Sequence, residues 1–318
     1  VAVFVSCPLP GDSLEQLRSE HAVVVGKDHV GVRGEAFAQG APAFEAIVSV
    51  VTDRIDETLL GRAPRVRIVA NVAVGYDNID VGACTARGVV VTNTPGVLTD
   101  ATADLAFGLL LAAARRVAEG DRLVRRGEFM GWTPSFLLGA RAHGATLGLV
   151  GLGRIGQAMA RRARGFGMHV IYAARTRASP DVERALGARQ VPLEDLFRLA
   201  DFVSLHCPLT PETRHLVNAE RLGAMKAGAV LVNTARGLCV DEGALAAALR
   251  AGHLAAAGLD VFEHEPRIHP DLLALDNVVL APHIGSADRP TRVAMAGMAI
   301  DNVRAVLAGK PALHPVKV

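Results

Sequence analysis

The stretch Thr146-Leu147-Gly148-Leu149-Val150-Gly151-Leu152-Gly153-Arg154-Ile155-Gly156-Gln157 decides the fold. A short apolar run meets three glycines at G-x-G-x-x-G spacing, and a helical pattern over 157–164 follows directly. That order is strand, tight turn, helix. Gly151 permits the turn, Gly153 lets the backbone approach a pyrophosphate, and Gly156 allows close helix-strand packing. The free N–H groups of the helix start, at Arg154 and Ile155, then face the phosphates. A G-x-G-x-x-G alone is a weak signal. The strand before it and the helix after it are what point to a dinucleotide site.

Strand-like and helical runs alternate on both sides of this turn. Downstream, strands are expected at 170–172, 191, 202–206, 229–233, 256–261 and 278–280, with helices at 182–186, 193–199, 219–225 and 243–250. Upstream, strands are expected at 1–6, 22–25, 46–51, 66–70 and 89–92, with helices at 13–19, 56–60 and 81–87. Such alternation gives parallel sheets covered on both faces. The expected fold class is therefore α/β, with two doubly wound domains: a Rossmann cofactor domain at 99–286 and a flavodoxin-like substrate domain. The substrate domain is discontinuous, 1–98 plus 287–318, because a helix over 291–308 comes too late for the cofactor sheet and crosses back. A helix running from 99 to 120, apolar on most sides, is expected as a connector packed between the two. An irregular stretch at 127–144 concentrates Trp132, Pro134, Phe136 and Leu137; a subunit contact is favoured over a loop tucked on its own domain.

Half of the 318 residues are hydrophobic and 4% aromatic, so the cores are built mostly of Ala, Val and Leu. The 34 Lys and Arg against 32 Asp and Glu give a net charge of +2, without single-sign blocks. Nothing in that balance favours nucleic acid or a membrane as partner. Cys7, Cys84, Cys207 and Cys239 lack C-x-x-C pairing or metal-ligand spacing and suit a reducing compartment, so no metal is expected. The longest apolar stretch, 105–114, is about half of the ~20 residues a membrane span needs. With no charged leader at the start, a soluble cytoplasmic protein is expected.

In NAD-binding versions of this fold an acidic residue closes the second strand and bonds the ribose 2′-hydroxyl. Here His169-Val170-Ile171-Tyr172-Ala173-Ala174 ends without one, and Arg175-Thr176-Arg177 follows. Two guanidiniums and a hydroxyl suit a 2′-phosphate. NADP(H) is the expected preference, with NAD(H) possible and a solvated basic loop as the competing reading.

Three strand ends carry further polar residues. Arg236 follows the strand at 229–233, Asp260 and Glu265 follow that at 256–261, and His283 follows that at 278–280. Parallel strands bring these ends to the edge that holds the glycine turn. A keto-acid reductase needs a cation to hold the substrate carboxylate and polarise the ketone, and an acid to protonate the oxygen as hydride arrives. Arg236 suits the first task through its planar fork. His283 suits the second, with Glu265 to orient it and favour imidazolium.

The chain resembles the D-2-hydroxyacid dehydrogenase family from end to end, and is most similar to its glyoxylate/hydroxypyruvate reductase branch. The resemblance is carried by ANVAVGYDNID (70–80), VTNTPGVLTDATADLA (91–106), GLVGLGRIGQ (148–157), NTARG (233–237), GLDVFEHEP (258–266) and PHIGS (282–286). It implies Arg236, Glu265 and His283 as catalytic trio, hydride transfer to or from a D-hydroxy acid, and a homodimer with the active site between two domains. It also implies substrate contacts from the backbone N–H groups of Val74 and Gly75, from Arg236 and from Ser286. Thr234, Ala235, Asp260 and His283 would help hold the nicotinamide, Cys207 and Pro208 would lie beside the adenosine, and Thr102, Thr213 and Gly285 join the cofactor set. His206 is expected to be structural or cofactor-adjacent. After Ser286 the run Ala287-Asp288-Arg289-Pro290 departs from the reductase branch.

The small side chains at 71–75 favour glyoxylate or hydroxypyruvate over a phosphorylated or aromatic acid. Gln in place of Glu265 would mark a formate enzyme, and an added regulatory domain a phosphoglycerate enzyme; neither is seen. A 2-ketogluconate-type reductase stays open, as does a dinucleotide-sensing corepressor, although disordered tails or peptide-binding extensions are not visible.

Overall fold

The computed structural model describes residues 1–316. Val1–Leu98 with Ser286–Val318 form one compact unit, and Thr99–Gly285 form the other. The return crossing thus falls one residue earlier than the sequence suggested, and Ser286 belongs to the first unit.

In the first unit β1 (Ala2–Val5), α1 (Ser13–Glu20), β2 (Ala22–Val25), α2 (Glu35–Gly40), β3 (Phe44–Ser49), α3 (Glu57–Arg62), β4 (Ile68–Asn71), α4 (Val81–Ala86) and β5 (Val90–Thr92) follow one another. The five strands are all parallel, in the order β2-β1-β3-β4-β5. Asp56 and Asp80 cap α3 and α4 by accepting the Leu59 and Ala83 N–H groups, each cap contributing about 1 kcal/mol. One sheet face packs on Phe4, Phe37 and Phe44.

The second unit holds α5 (Thr99–Ala114), α6 (Val117–Arg125), β6 (Thr146–Val150), α7 (Arg154–Gly165), β7 (His169–Ala173), α8 (Pro180–Leu186), β8 (Ala188–Gln190), α9 (Leu193–Leu199) and β9 (Phe202–Leu205). It continues with α10 (Ala219–Ala224), β10 (Ala229–Asn233), α11 (Glu242–Arg250), β11 (Leu254–Leu259), α12 (Pro270–Leu273) and β12 (Val278–Leu280). The seven-stranded sheet runs β12-β11-β10-β9-β6-β7-β8, again parallel throughout. Strand periodicity sorts the core: Val230 and Val232 pack with Leu147 and Leu149 on one face, Ala229 and Leu231 with Val203 and Leu205 on the other. The carboxyl ends of β6, β7, β9, β10, β11 and β12 share one edge, and the second unit's loops discussed below start there. The last helix, α13 (Arg289–Leu307), returns to the first unit, where Ala299, Ile300 and Val303 join Val3, Val48 and Ala70 in a second core.

Two expectations are corrected. The helix expected from 99 to 120 breaks after Ala114, and Arg116 takes a left-handed φ of 54° before α6 begins. The Ala114 carbonyl accepts the Ala140 N–H at 2.8 Å, so the bond that would continue the helix is spent on a distant loop. Within the second unit α5 packs on β10, β11 and α7. The strand expected at Val191 is β8, although the Val191 N–H still bonds Tyr172 O at 2.9 Å. Among the described residues no helix is long and apolar enough to cross a membrane.

Candidate active site

Gly151 has φ 97°, and a Cβ on it would lie 2.7 Å from His206 O. On Gly156 a Cβ would meet Gly151 O at 2.3 Å, so turn and helix touch backbone to backbone. Above Gly153, the N-cap of α7, the space is open. Arg154 and Ile155 follow in the first turn, where N–H groups have no partner within the helix. These pieces fit a dinucleotide pyrophosphate. At the end of β10 the Thr234 hydroxyl is buried and has no partner among the described residues, which also suits a polar ligand group.

β7 ends without an acid, and Arg175, Thr176 and Arg177 are exposed in the loop after it. Arg177 is engaged within the protein: its Nε and Nη2 donate to Glu183 at 3.0 and 2.9 Å. Glu183 also accepts the Tyr172 hydroxyl at 2.7 Å, and the Tyr172 oxygen accepts the Ala178 N–H. The buried Tyr172 thus fixes the loop from below, and the pair of arginines expected to act alike is split. After β9, His206 Nε2 meets Ser204 Oγ at 2.9 Å, and burial pushes its pKa down to about 4, so the ring is neutral. Cys207 and Pro208 follow it. The Thr213 hydroxyl, expected at the cofactor, donates to Pro208 O at 2.7 Å and accepts the Thr210 N–H.

Arg236, Glu265 and His283 arise from neighbouring strand ends. Asn233 closes β10, accepts the Ala235 N–H and donates to Arg236 O. This side chain, which the sequence reading passed over, folds the Thr234-Ala235-Arg236 turn; an Asn at the last position of a strand and before small residues is its sequence signal. Arg236 Nη1 donates to Ala235 O at 2.8 Å. Glu265 Oε1 accepts the Phe262 N–H at 3.0 Å, and Oε2 lies 2.8 Å from His283 Nδ1. Burial raises the Glu265 carboxyl, but the hydrogen bond and charge of His283, the Phe262 N–H and Arg236 outweigh it and leave it below the usual Glu value.

His283 itself has φ 55°, a conformation costing about 1–3 kcal/mol for a residue with a Cβ. Asp260, 1% exposed, holds it there. Its Oδ1 accepts the Ile284 N–H at 2.7 Å, its Oδ2 the Gly285 N–H at 2.8 Å, and its carbonyl the His283 N–H. Burial raises the Asp260 carboxyl despite these bonds. Asp260, expected beside the nicotinamide, is thereby the anchor of the 283–285 turn, and Thr102 sits against Gly285.

In the first unit, Asn93 Nδ2 donates to Val74 O at 2.8 Å and Asn71 Nδ2 to Gly75 O at 2.9 Å. Each fixes a peptide plane, and the N–H of the next residue points the opposite way. Asn71 is buried and also accepts the Ser49 hydroxyl. Ser286 O accepts Arg292 Nε at 3.1 Å. Among the described residues, no group of three or more His, Cys, Asp or Glu is placed to hold a metal ion.

Residues 107–285 match the family model described as the D-isomer specific 2-hydroxyacid dehydrogenase, NAD binding domain. A glyoxylate reductase of Pyrococcus horikoshii is 50% identical over 312 residues, covering 97% of this chain and 93% of that protein. One of Thermococcus litoralis is 48% identical, covering 97% and 94%. Among solved structures, a Thermus thermophilus protein superposes with a TM-score of 0.93 at 48% identity over 100% of both chains. An NADPH-dependent glyoxylate/hydroxypyruvate reductase of Sinorhizobium meliloti, crystallised with NADP and malonate, does so at 0.88 with 37% identity, over 99% of this chain and 96% of that one.

Proposed function

This chain belongs to the D-isomer specific 2-hydroxyacid dehydrogenase family, and from that premise we propose that it reduces glyoxylate and hydroxypyruvate to D-2-hydroxy acids with NADPH as preferred reductant. It is an oxidoreductase that uses a nicotinamide dinucleotide to convert a keto acid to a hydroxy acid. The observation that carries the assignment of roles is the 2.8 Å contact between Glu265 and His283 on the edge that also bears Arg236 and the glycine turn.

A nicotinamide dinucleotide held at the Gly151–Gly156 turn and beside Thr234 would supply the hydride for the carbonyl carbon. Arg236 holds the substrate carboxylate through its fork and draws electron density toward the ketone oxygen. An ionised Glu265 accepts from Nδ1, so the proton that the ketone oxygen needs is carried on Nε2 of His283 and passes to that oxygen as the alkoxide forms. Asp260 and Asn233 keep the two turns in register. The Val74 and Gly75 N–H groups, whose peptides are held by the Thr94 N–H on Ala73 O and by Asn93 on Val74 O, are assigned to a carboxylate.

Several observations support the finer assignments. β7 lacks the acid that would repel a 2′-phosphate, Arg175 and Thr176 are exposed beside it, and the Sinorhizobium meliloti relative is crystallised with NADP. The relatives near 50% identity are glyoxylate reductases. Met130 is 94% and Trp132 79% exposed, with Val124, Phe129 and Leu138 also open to solvent in the same segment. That concentration is assigned to the contact with a second copy of the chain. None of the four cysteines forms a disulfide, which supports the cytoplasm as its compartment.

Steady-state rates with glyoxylate, hydroxypyruvate, pyruvate and 2-ketogluconate, each with NADPH and NADH, test the proposal. The first two with NADPH should give the highest kcat/KM. A higher value for 2-ketogluconate overturns the substrate assignment, and equal values with both dinucleotides overturn the preference.

A further inference from the structure

Two carboxylates exchange hydrogen bonds behind Glu265. Glu242 opens α11, and its Oε1 accepts the Glu263 N–H at 2.9 Å, while Glu263 Oε1 accepts the Glu242 N–H at 3.0 Å. Glu242 is 4% exposed, and acids are rarely buried to that degree without a specific partner. Helix capping does not account for it, because Asp241 already caps α11 by accepting the Ala244 N–H. Burial and the neighbouring Glu263 raise the Glu242 carboxyl, opposed by the N–H groups of Glu263 and His269. His215 Nε2 stands 3.2 Å from the same Glu263 oxygen.

The 262–266 turn is therefore held by adjacent N–H groups. That of Phe262 orients the Glu265 carboxylate at 3.0 Å, and that of Glu263 is clasped by Glu242. A second, independent contact ties in Arg236. A Cβ on Gly237 would lie 1.9 Å from Phe262 C and 2.4 Å from Glu263 N, so the Arg236 turn seats directly on that peptide.

We propose that Glu242 is a positioning residue for the reduction: through its reciprocal bonds with Glu263 it fixes the Phe262–Glu263 peptide, and so the adjoining Phe262 N–H that aims Glu265 at His283. The proposal rests on the reading of Glu265 and His283 as orienting carboxylate and acid. Glu242 touches neither substrate nor dinucleotide; it acts through Glu265.

A double-mutant cycle in the full chain tests it. Glu242→Ala should lower kcat with glyoxylate by about 10- to 100-fold, the scale of a small misplacement of a reacting group, while the KM for NADPH stays within about twofold. Glu242→Gln keeps the acceptor oxygen and should restore kcat to within about threefold. In a Glu265→Gln background, Glu242→Ala should change kcat by less than about twofold, because both changes act on one path. If Glu265→Gln is impaired and the two losses multiply, the proposal is overturned and the trio stands. If Glu265→Gln retains normal kcat, the trio reading falls and takes this proposal with it. Should Glu242→Ala not fold, Glu242→Asp, too short by one methylene to reach Glu263 N–H, replaces it in the same cycle.

Discussion

Glu265 Oε2 lies 2.8 Å from His283 Nδ1, which commits that ring nitrogen to the carboxylate and leaves Nε2 to serve the substrate. Burial raises the Glu265 carboxyl, but His283, Phe262 N–H and Arg236 bring it below its usual value. A depressed folded pKa means stability that is present above about 4.3, the ordinary Glu value, and lost as pH falls through the folded value. Urea midpoints of wild type and Glu265→Gln should therefore differ at neutral pH, and the gap should narrow as pH falls below the ordinary Glu value of about 4.3. A gap that stays constant into acid would show that Glu265 gains nothing from the pair.

Arg236 must offer a fork, and a point charge will not replace it. Arg236→Lys is expected to keep the fold and lose about 10²- to 10³-fold in kcat/KM for glyoxylate, the scale of removing one donor from a developing oxyanion. Near-normal kcat/KM in the lysine variant would assign the carboxylate to other groups.

Arg175 and Arg177 should respond differently, because Glu183 engages Arg177 from 2.9 Å. Arg175→Ala is expected to raise the NADPH KM by about tenfold, as for loss of one charge-assisted contact, with little change for NADH. Arg177→Ala should act mainly on the loop and affect both dinucleotides alike. The reverse pattern would move the 2′-phosphate to Arg177.

A Cβ at Gly156 would stand 2.3 Å from Gly151 O. Gly156→Ala should cost about 1–3 kcal/mol from overpacking alone and, by opening the turn, weaken both NADPH and NADH. Thermal melts with and without dinucleotide read both effects. An unchanged melt would mean the turn can widen freely.

Replacing Met130 and Trp132 together with Ser removes the two most exposed large apolar side chains of the 117–138 segment. Sedimentation velocity is expected to show a dimer for the wild type and a shift toward monomer for the variant. A wild-type monomer would remove the basis for assigning that surface to a second copy.

Much of this arrangement is legible in local sequence because its signals are local. Glycine spacing marks the turn at Gly151, and apolar runs of four to six residues mark most of the strands. What escaped depends on partners far along the chain. The end of α5 is set by Ala140 taking the Ala114 carbonyl, a bond with no trace in the helical pattern itself. Arg175 and Arg177 look equivalent until the turn brings Glu183 and Tyr172 to one of them. Asp260 is visible at a strand end, yet its bonds to Ile284 and Gly285 depend on the pairing of β11 with β12. Glu242 looks like an ordinary first-turn acid, and only burial against Glu263 separates it from the rest.

The return of α13 to the first unit has a consequence for how the chain matures during synthesis. Ala299, Ile300 and Val303 complete a core whose other half, including Val3, Val48 and Ala70, is made nearly the whole chain earlier. The second unit occupies one unbroken stretch, Thr99–Gly285, so all of its strands leave the ribosome before α13 does. It can reach its native packing while the sheet that preceded it still waits, one face covered only by α1, for a helix not yet translated. Order of synthesis and order of completion are thus inverted: the half of the molecule begun first is finished last.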